Sequence, residues 1–159
     1  MQRLAPKTLS KLPAGASKTG RNIDEDLCGA VGIELEVVHP EVEICHCRMC
    51  QRWTGAMYGG IAGEHFTLTC EGHIATYQSS DWAERAFCSM CGSNLWYKFP
   101  PPTENKTFLA GQLELPPGLP IKRQIFVDEK PDWFDIAQNS SMKAGPDIIV
   151  WASAEGFTF

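Results

Sequence analysis

Six of the seven cysteines in the chain lie in three short groups, and their spacing suits chemistry at sulfur. The groups are Cys28-Gly29, Cys45-His46-Cys47-Arg48-Met49-Cys50 and Cys88-Ser89-Met90-Cys91-Gly92. Thiolates spaced as C-x-C-x-x-C and C-x-x-C-G can converge on one metal ion, whereas such close spacing gives poor disulfide geometry. The sequence therefore predicts zinc as a cofactor, with one or two ions per chain.

The pair Cys88 and Cys91, followed directly by glycine, predicts a tight turn that supplies two metal ligands. Cys28 is the candidate third ligand, and Asp26 is placed two residues earlier to supply an oxygen as the fourth. These four residues would form a closed, structural zinc site. The alternatives for Cys88 and Cys91 are a redox dithiol or ordinary buried thiols.

The second cluster places Cys45, Cys47 and Cys50 within six residues. Three thiolates this close repel one another, and a divalent metal relieves the repulsion. Three protein ligands with an open fourth position are typical of a catalytic zinc, and a sulfur-rich site favours a substrate thiol that adds to or leaves from an electrophilic carbon. His46 alternates with the cysteines, so it is expected to point away from them, as a supporting or core histidine.

These motifs resemble those of the glutathione-dependent formaldehyde-activating enzyme family, which also includes centromere protein V. The resemblance covers residues 27 to about 133, and its motifs keep the family's order and spacing: CGAV at 28–31, CHCRMCQRWTGA at 45–56, YQSS at 77–80 and RAFCSMCGSNL at 85–95. It implies a β-rich fold with a structural zinc site at Cys28, Cys88 and Cys91 and an open zinc site at Cys45, Cys47 and Cys50. The family usually opens with Cys-x-Cys-Gly, whereas here Asp26 stands at the first of those positions.

The resemblance also implies a reaction, because the founding activity of the family is the reversible condensation of glutathione with formaldehyde. The expected function is a zinc-dependent carbon–sulfur lyase-like enzyme, similar to S-hydroxymethylglutathione synthase, acting on adducts of a small thiol with an aldehyde-type carbon. One alternative is a non-catalytic, zinc-stabilised binding domain, since no clear general acid or base stands beside the cluster. Another is a redox or iron–sulfur protein.

Polar residues beside the cysteine motifs are candidates for substrate binding. The candidates are Arg48, Arg52, Ser79, Ser80 and Arg85. An arginine could bind a substrate carboxylate through charge-assisted bonds, but each arginine is about as well explained as a surface ion-pair residue. The serines are equally well explained by turn capping. Cys70 belongs to no cluster and is predicted to be a buried structural thiol.

The elements that must position these residues are mostly short strands. Residues 30–38 alternate apolar and polar side chains, and weaker β patterns recur at 58–62, 65–70, 74–78, 85–87, 95–99, 107–113 and 124–127. Short helical turns are predicted only at residues 48–53 and 133–138. The expected fold is a mostly β single domain of small antiparallel sheets, held together by zinc and carrying few short helices.

The charge distribution divides the chain and limits its partners. Arg3, Lys7, Lys11, Lys18 and Arg21 give residues 1–22 a charge of +5, which leaves 9 bases against 19 acids in the rest. The prediction is a flexible basic tail at 1–22, a zinc-binding β domain at 23–136 and an irregular C-terminal segment at 137–159 that packs on the domain.

An acidic body disfavours nucleic acid as a partner, because binding to the phosphate backbone needs clustered bases. No apolar stretch approaches the roughly 20 residues that span a bilayer, so no membrane partner is expected. Seven cysteines without an export signal indicate a reducing, cytoplasmic compartment. The expected partner is a small thiol or thiol adduct, and a homo-oligomer is possible.

Overall fold

Short alternating segments of the sequence form strands in the structure, a computed structural model that describes residues 24–37, 40–99 and 105–155. The basic tail predicted at 1–22 lies outside these residues. In the described ranges the strands are β1 (Asp24–Glu25), β2 (Gly32–Glu36), β3 (Val42–Cys45), β4 (Tyr58–Gly63), β5 (His65–Thr69), β6 (Ile74–Ser80), β7 (Ala83–Cys88), β8 (Asn94–Lys98), β9 (Lys106–Leu109), β10 (Ile121–Ile125) and β11 (Ser141–Lys143). Each β pattern predicted above contributes to a strand, and the mostly β class is confirmed.

The strands build two sheets. A three-stranded antiparallel sheet has the order β1-β2-β5, and an eight-stranded sheet has the order β11-β10-β3-β4-β9-β8-β7-β6. The expectation of small antiparallel sheets is wrong for the second, because β10 pairs in parallel with both β3 and β11. Parallel neighbours need a long connection, and the chain between β3 and β10 supplies it, contributing five further strands of this sheet from β4 to the edge strand β6.

The hydrophobic core lies between the two sheets. On the side of the small sheet it contains Ile33 of β2 and Val31, which directly precedes β2. The large sheet contributes Ile61, Leu95 and Phe108, and all five side chains are at most 1% exposed. Fully burying a side chain of this kind contributes about 1.5–3 kcal/mol. This core holds both sheets in one small domain.

Helix α1 (Arg48–Thr54) begins directly after Cys47, where the short helical turn is predicted. Cys47 is its N-cap residue, and the Cys47 sulfur accepts a hydrogen bond from the amide of Cys50. The Glu129 carboxylate accepts from the Arg48 amide at 2.6 Å, so a second acceptor satisfies the first turn. The start of α1 is therefore fixed by the residues that carry the second cysteine cluster.

The second predicted helical turn, at residues 133–138, is wrong. The Asp135 carboxylate accepts from the amide of Ile136 at 2.8 Å and from Lys130 Nζ at 2.6 Å. An aspartate that binds its neighbouring backbone in this way competes with the helical hydrogen-bond pattern. The segment accordingly contains a turn and a bend and forms no helix.

The segment at 137–159 is not irregular throughout, because helix α2 spans Gly145–Ala154. Pro146 lies in its first turn, and the Asp147 carboxylate accepts from the amide of Ala144 at 3.3 Å. Both are ordinary helix-start signals, which the sequence interpretation passed over. The helix lies against the body through Gly145, whose amide donates to an Asp128 carboxylate oxygen at 2.6 Å.

Among the described residues, neither helix has the length and the apolar character needed to cross a bilayer.

Candidate metal sites and the adjoining cavity

The structure brings the first predicted set of ligands together. The carboxylate of Asp26 and the sulfurs of Cys28, Cys88 and Cys91 include donor atoms that all lie within 4.8 Å of one another. We call this set the four-donor site. It joins the turn between β1 and β2, in the small sheet, to the end of β7, in the large sheet.

Two tight turns present these sulfurs. Gly29 follows Cys28 with φ +73°, and Gly92 follows Cys91 with φ +79°, a left-handed conformation that glycine adopts without strain. The Gly92 amide donates to the carbonyl of Cys88 at 2.9 Å and closes the second turn. The prediction that glycine serves this turn is confirmed.

Asp26 is oriented as a ligand would need to be. Its Oδ1 accepts from the amide of Val31 at 3.1 Å, while its Oδ2 lies 3.1 Å from Cys91 Sγ and 3.4 Å from Cys28 Sγ. Tetrahedral zinc with bond lengths of about 2.0 Å to oxygen and 2.3 Å to sulfur separates such donors by roughly 3.5 Å, and two sulfurs by roughly 3.8 Å. The Cys28 and Cys88 sulfurs are 3.8 Å apart, so the four donors fit a zinc ion.

Electrostatics at the four-donor site favour an ionised carboxylate. Burial alone would raise the pKa of Asp26, but hydrogen bonds from the thiols of Cys88 and Cys91 and from the Val31 amide outweigh it. The pKa of Asp26 is therefore well below its ordinary value. Asp26 is 5% exposed, which makes an unpartnered charge there costly and a bound cation favourable.

The second predicted set also converges. Cys45 ends β3, Cys47 caps α1 and Cys50 lies in the first turn of α1, and their three sulfurs lie within 4.8 Å of one another. We call these residues the cysteine triad. All three are buried, at 8%, 8% and 3% exposure respectively. Three sulfurs with this separation fit three corners of a zinc tetrahedron and leave the fourth for another ligand.

Coupling within the cysteine triad separates the pKa values of its thiols. Hydrogen bonds from the Cys45 and Cys50 thiols lower the pKa of Cys47 to about 3, and the Arg85 guanidinium adds to the effect. The same contacts, together with burial, raise the pKa of Cys45 far above its ordinary value. The arrangement thus keeps a thiolate inside the protein, which is the form that binds a metal.

His46 points away from the cysteine triad, as its alternation with the cysteines predicts. Its side chain is fully buried, and Nε2 lies 2.9 Å from Gln124 Oε1 on β10. Gln124 in turn donates to Ser140 Oγ at 2.9 Å. These contacts anchor the loop between β3 and α1 to the neighbouring strand.

Arg85 is the buried cation of the site. It lies on β7, is 6% exposed, and places Nη2 3.7 Å from Cys50 Sγ. Its guanidinium carbon lies 4.6 Å from the ring centroid of Trp53 and 5.9 Å from that of Tyr97. Its Nη1 is buried and has no hydrogen-bond partner in the described part of the chain.

The cysteine triad and Arg85 line a cavity of about 390 Å³. Six strands of the large sheet and both helices contribute to the wall, whose large apolar members are Trp82, Tyr97, Phe99, Ile125, Phe126, Ile148 and Trp151. Two ion pairs lie in the lining, Lys122 with Glu41 and Arg123 with Glu43. Ligand pockets typically measure about 300–1,000 Å³ and are mostly apolar with a few polar groups, so this cavity suits a small molecule.

Of the five candidates for substrate binding, Arg85 alone lines this cavity in the described part of the chain. Arg48 and Arg52 are exposed on α1. Ser79 donates to the carbonyl of Ala83 at 2.9 Å, which is the turn-capping alternative. Substrate binding by Arg48, Arg52, Ser79 and Ser80 stays a prediction that the cavity does not support.

Sequence reasoning missed most of the cavity wall. Trp82 lies in the turn between β6 and β7, Tyr97 on β8 and Trp151 on α2, and an aromatic residue carries no sequence signal that distinguishes a pocket wall from a core. The apolar run at 148–152 was the available hint for α2.

Cys70 is exposed, and its backbone has a φ of +58°. The interpretation of Cys70 as a buried thiol is therefore wrong.

Comparisons with known proteins agree on one family. The sequence profile of the glutathione-dependent formaldehyde-activating enzyme family matches residues 24–129, which include both cysteine clusters. An uncharacterized lyase of Schizosaccharomyces pombe is 26% identical over 124 residues, which are 77% of this chain and 90% of that protein. A Halomonas elongata protein whose name assigns it to the glutathione-dependent formaldehyde-activating enzymes is 32% identical over 122 residues, 69% of this chain and 76% of that protein.

A solved structure shows the same fold. A crystal structure of a Rhodobacter sphaeroides protein aligns with a TM-score of 0.50 at 23% identity and covers 62% of this chain and 98% of its own.

Proposed function

This chain belongs to the glutathione-dependent formaldehyde-activating enzyme family, and we propose that it is a zinc-dependent carbon–sulfur lyase-type enzyme acting on adducts of a small thiol with an aldehyde carbon. The lyase name of the yeast relative supports the reaction class. The observation that carries the proposal is the position of the cysteine triad in the wall of an apolar cavity. A metal held there would meet a small molecule, whereas a purely structural site needs no such access.

Cys45, Cys47 and Cys50 would hold the catalytic zinc, and Asp26, Cys28, Cys88 and Cys91 would hold a structural one. Bound at the triad, zinc would supply Lewis acidity that favours the thiolate form of a thiol at the open position. The residues of the chain contribute the rest: the apolar wall excludes water, and Arg85 supplies positive charge beside the sulfurs.

The reaction needs no redox partner. In the forward direction the thiol sulfur forms a bond to the aldehyde carbon, the carbonyl π pair moves to oxygen, and the thiol proton ends on that oxygen. The reverse reaction breaks the carbon–sulfur bond and returns the thiol and the aldehyde. A cavity of about 390 Å³ accommodates the reacting end of such an adduct.

The test uses Cys47→Ser, since a hydroxyl keeps the N-cap of α1 while removing the soft ligand. We expect the variant to stay folded, to lose one of two metals per chain and to lose adduct formation and breakdown, measured by NMR with glutathione and formaldehyde above the uncatalysed rate. Cys70→Ser is the matched control, because Cys70 is exposed and outside both sites. Turnover by Cys47→Ser equal to that of the control would refute the proposal.

A non-catalytic, zinc-stabilised domain is the second candidate. The observation that favours it is the pairing of the two described carboxylates in the cavity wall, Glu41 and Glu43, with Lys122 and Arg123. Neither is placed as a free general base. This candidate predicts two metals per chain in the wild type without any acceleration of adduct exchange, so the same NMR experiment separates the two.

A further inference from the structure

Arg85 is a buried cation without a carboxylate partner. It is 6% exposed, and among the described residues no aspartate or glutamate forms an ion pair with it. A buried charge needs a counter-charge or hydrogen-bond acceptors to offset its desolvation. Within the described residues, the one anionic group that contacts it is the cysteine triad, through the Nη2 contact of 3.7 Å with Cys50 Sγ.

The guanidinium is held in one plane by the rings around it. It lies 4.6 Å from the centroid of Trp53, and Trp53 stacks on Tyr58 with an angle of 11° between the rings. Tyr58 is 1% exposed and bonds through its hydroxyl to the carbonyl of Thr107. A planar group fixed in this way loses little entropy when it binds an acceptor, which is a property of arginine that lysine lacks.

One end of this fixed group has no partner. Nη2 donates to the Cys50 sulfur, while Nη1 is buried and donates to no acceptor among the described residues. An unsatisfied buried donor is uncommon and costs free energy in the unliganded protein. Arg85 lines the cavity, so a ligand oxygen beside the triad that reaches Nη1, with a small shift of the wall around it, would remove that cost.

We propose that Arg85 is a catalytic residue whose Nη1 donates a hydrogen bond to the oxygen of the reacting aldehyde carbon. As the carbon–sulfur bond forms, the carbonyl π pair becomes a lone pair on this oxygen, and the guanidinium stabilises the negative charge until the proton lost by the thiol reaches it. In the reverse direction the same contact stabilises the alkoxide from which the carbon–sulfur bond breaks. The inference rests on the proposed function for its reaction, but its contact can be tested without turnover.

The contact is tested with formate, which presents an oxygen anion on a one-carbon unit. Binding is followed by tryptophan fluorescence, because Arg85 lies over Trp53. We expect saturable binding by the wild type and a loss of at least tenfold in Arg85→Gln. Lys143→Gln is the matched control: it also removes one positive charge, but Lys143 is exposed on β11 and outside the cavity wall, so its loss should leave formate binding unchanged.

Arg85→Lys covers the case in which the glutamine variant does not fold. It keeps the charge, so the fold and the metal content should persist, while formate binding weakens because the planar donor is gone. Equal formate binding by wild type and Arg85→Lys, or no formate binding by folded wild type, would overturn the inference.

Turnover gives the second readout. Loss of one oxyanion donor typically lowers kcat by about 10²–10³-fold, and we expect Arg85→Gln to show this with its KM for the thiol unchanged. A purely structural Arg85 would instead lose metal or raise KM. If the wild type binds formate through Arg85 but does not accelerate adduct exchange, the proposed function fails and the oxygen-binding contact stands. If the wild type turns over and Arg85→Gln matches it, the inference alone fails.

Discussion

Asp26→Asn tests whether the aspartate that departs from the family pattern is a metal ligand. The asparagine has the same shape, so its carbonyl oxygen can still accept from the Val31 amide, which Asp26 Oδ1 now does at 3.1 Å. What it loses is the negative charge on Oδ2, the atom that lies 3.1 Å and 3.4 Å from the sulfurs of Cys91 and Cys28. The substitution thus separates the local hydrogen bond from the contribution to a metal site.

The expected loss has two parts. In metal-free protein a charge-assisted hydrogen bond becomes a neutral one, which lowers the free energy of unfolding by about 1 kcal/mol. The affinity of the variant for zinc should fall by at least roughly 10–100-fold, the range seen when a residue that only orients a metal ligand is removed. At fixed saturating free zinc this removes a further 1.4–2.8 kcal/mol or so, since each factor of ten is worth about 1.4 kcal/mol.

The assay is denaturant unfolding in a zinc buffer and in a chelator, combined with zinc titration against a chromophoric chelator. Asp24→Asn is the matched control, because Asp24 Oδ1 accepts from the Glu114 amide at 2.9 Å but takes no part in the four-donor site. Asp26→Cys should bind zinc more tightly than the wild type, since it restores the four-thiolate pattern. Asp26→Asn with the zinc affinity of Asp24→Asn would refute the ligand role and leave Asp26 as a turn carboxylate.

Two further substitutions test how the fold is held. Cys91→Ala should lower the unfolding midpoint of the whole domain in zinc and make it less sensitive to a chelator, whereas Cys70→Ala should do neither; equal chelator responses would contradict a structural metal. Gly63→Ala should lower the free energy of unfolding by about 1–3 kcal/mol, because its new Cβ would lie 2.5 Å from Leu35 Cδ1 and 2.6 Å from Phe108 Cε2. Gly111→Ala is its control, because a Cβ there meets no atom of the described residues within 4 Å. Similar denaturant midpoints for the two variants would show that the core adjusts to the added methyl group.

The parts of the molecule that sequence predicts well are those fixed by neighbours in the chain. The C-x-C-x-x-C and C-x-x-C-G spacings limit how far apart their sulfurs can lie, and the structure gathers each set. Assigning Cys28 and Cys88 to the same site required evidence beyond local spacing, because 60 residues separate them. The Cys-Gly step at each turn and the family resemblance supplied that link.

The parts that failed depend on contacts between distant segments. Alternating side chains show which face of a strand is buried, but they do not show which strand lies beside it or in which direction. The parallel pairing of β10 with β3 was missed for this reason, and so was the cavity wall that the two strands share with α2. The unpartnered Nη1 of Arg85 is likewise visible only once β7, β8 and α1 are in place.

Sequence separation also explains why the two cysteine sites should differ in role. A metal at the four-donor site would join segments 60 residues apart and tie the small sheet to the large one. At the cysteine triad it would close a loop of only about five residues, which the N-cap of α1 already holds. By loop-closure entropy alone the first constraint is worth about 2 kcal/mol more than the second. Loss of a ligand at the four-donor site should therefore destabilise the whole domain, while the same loss at the triad should remove chemistry and leave the fold.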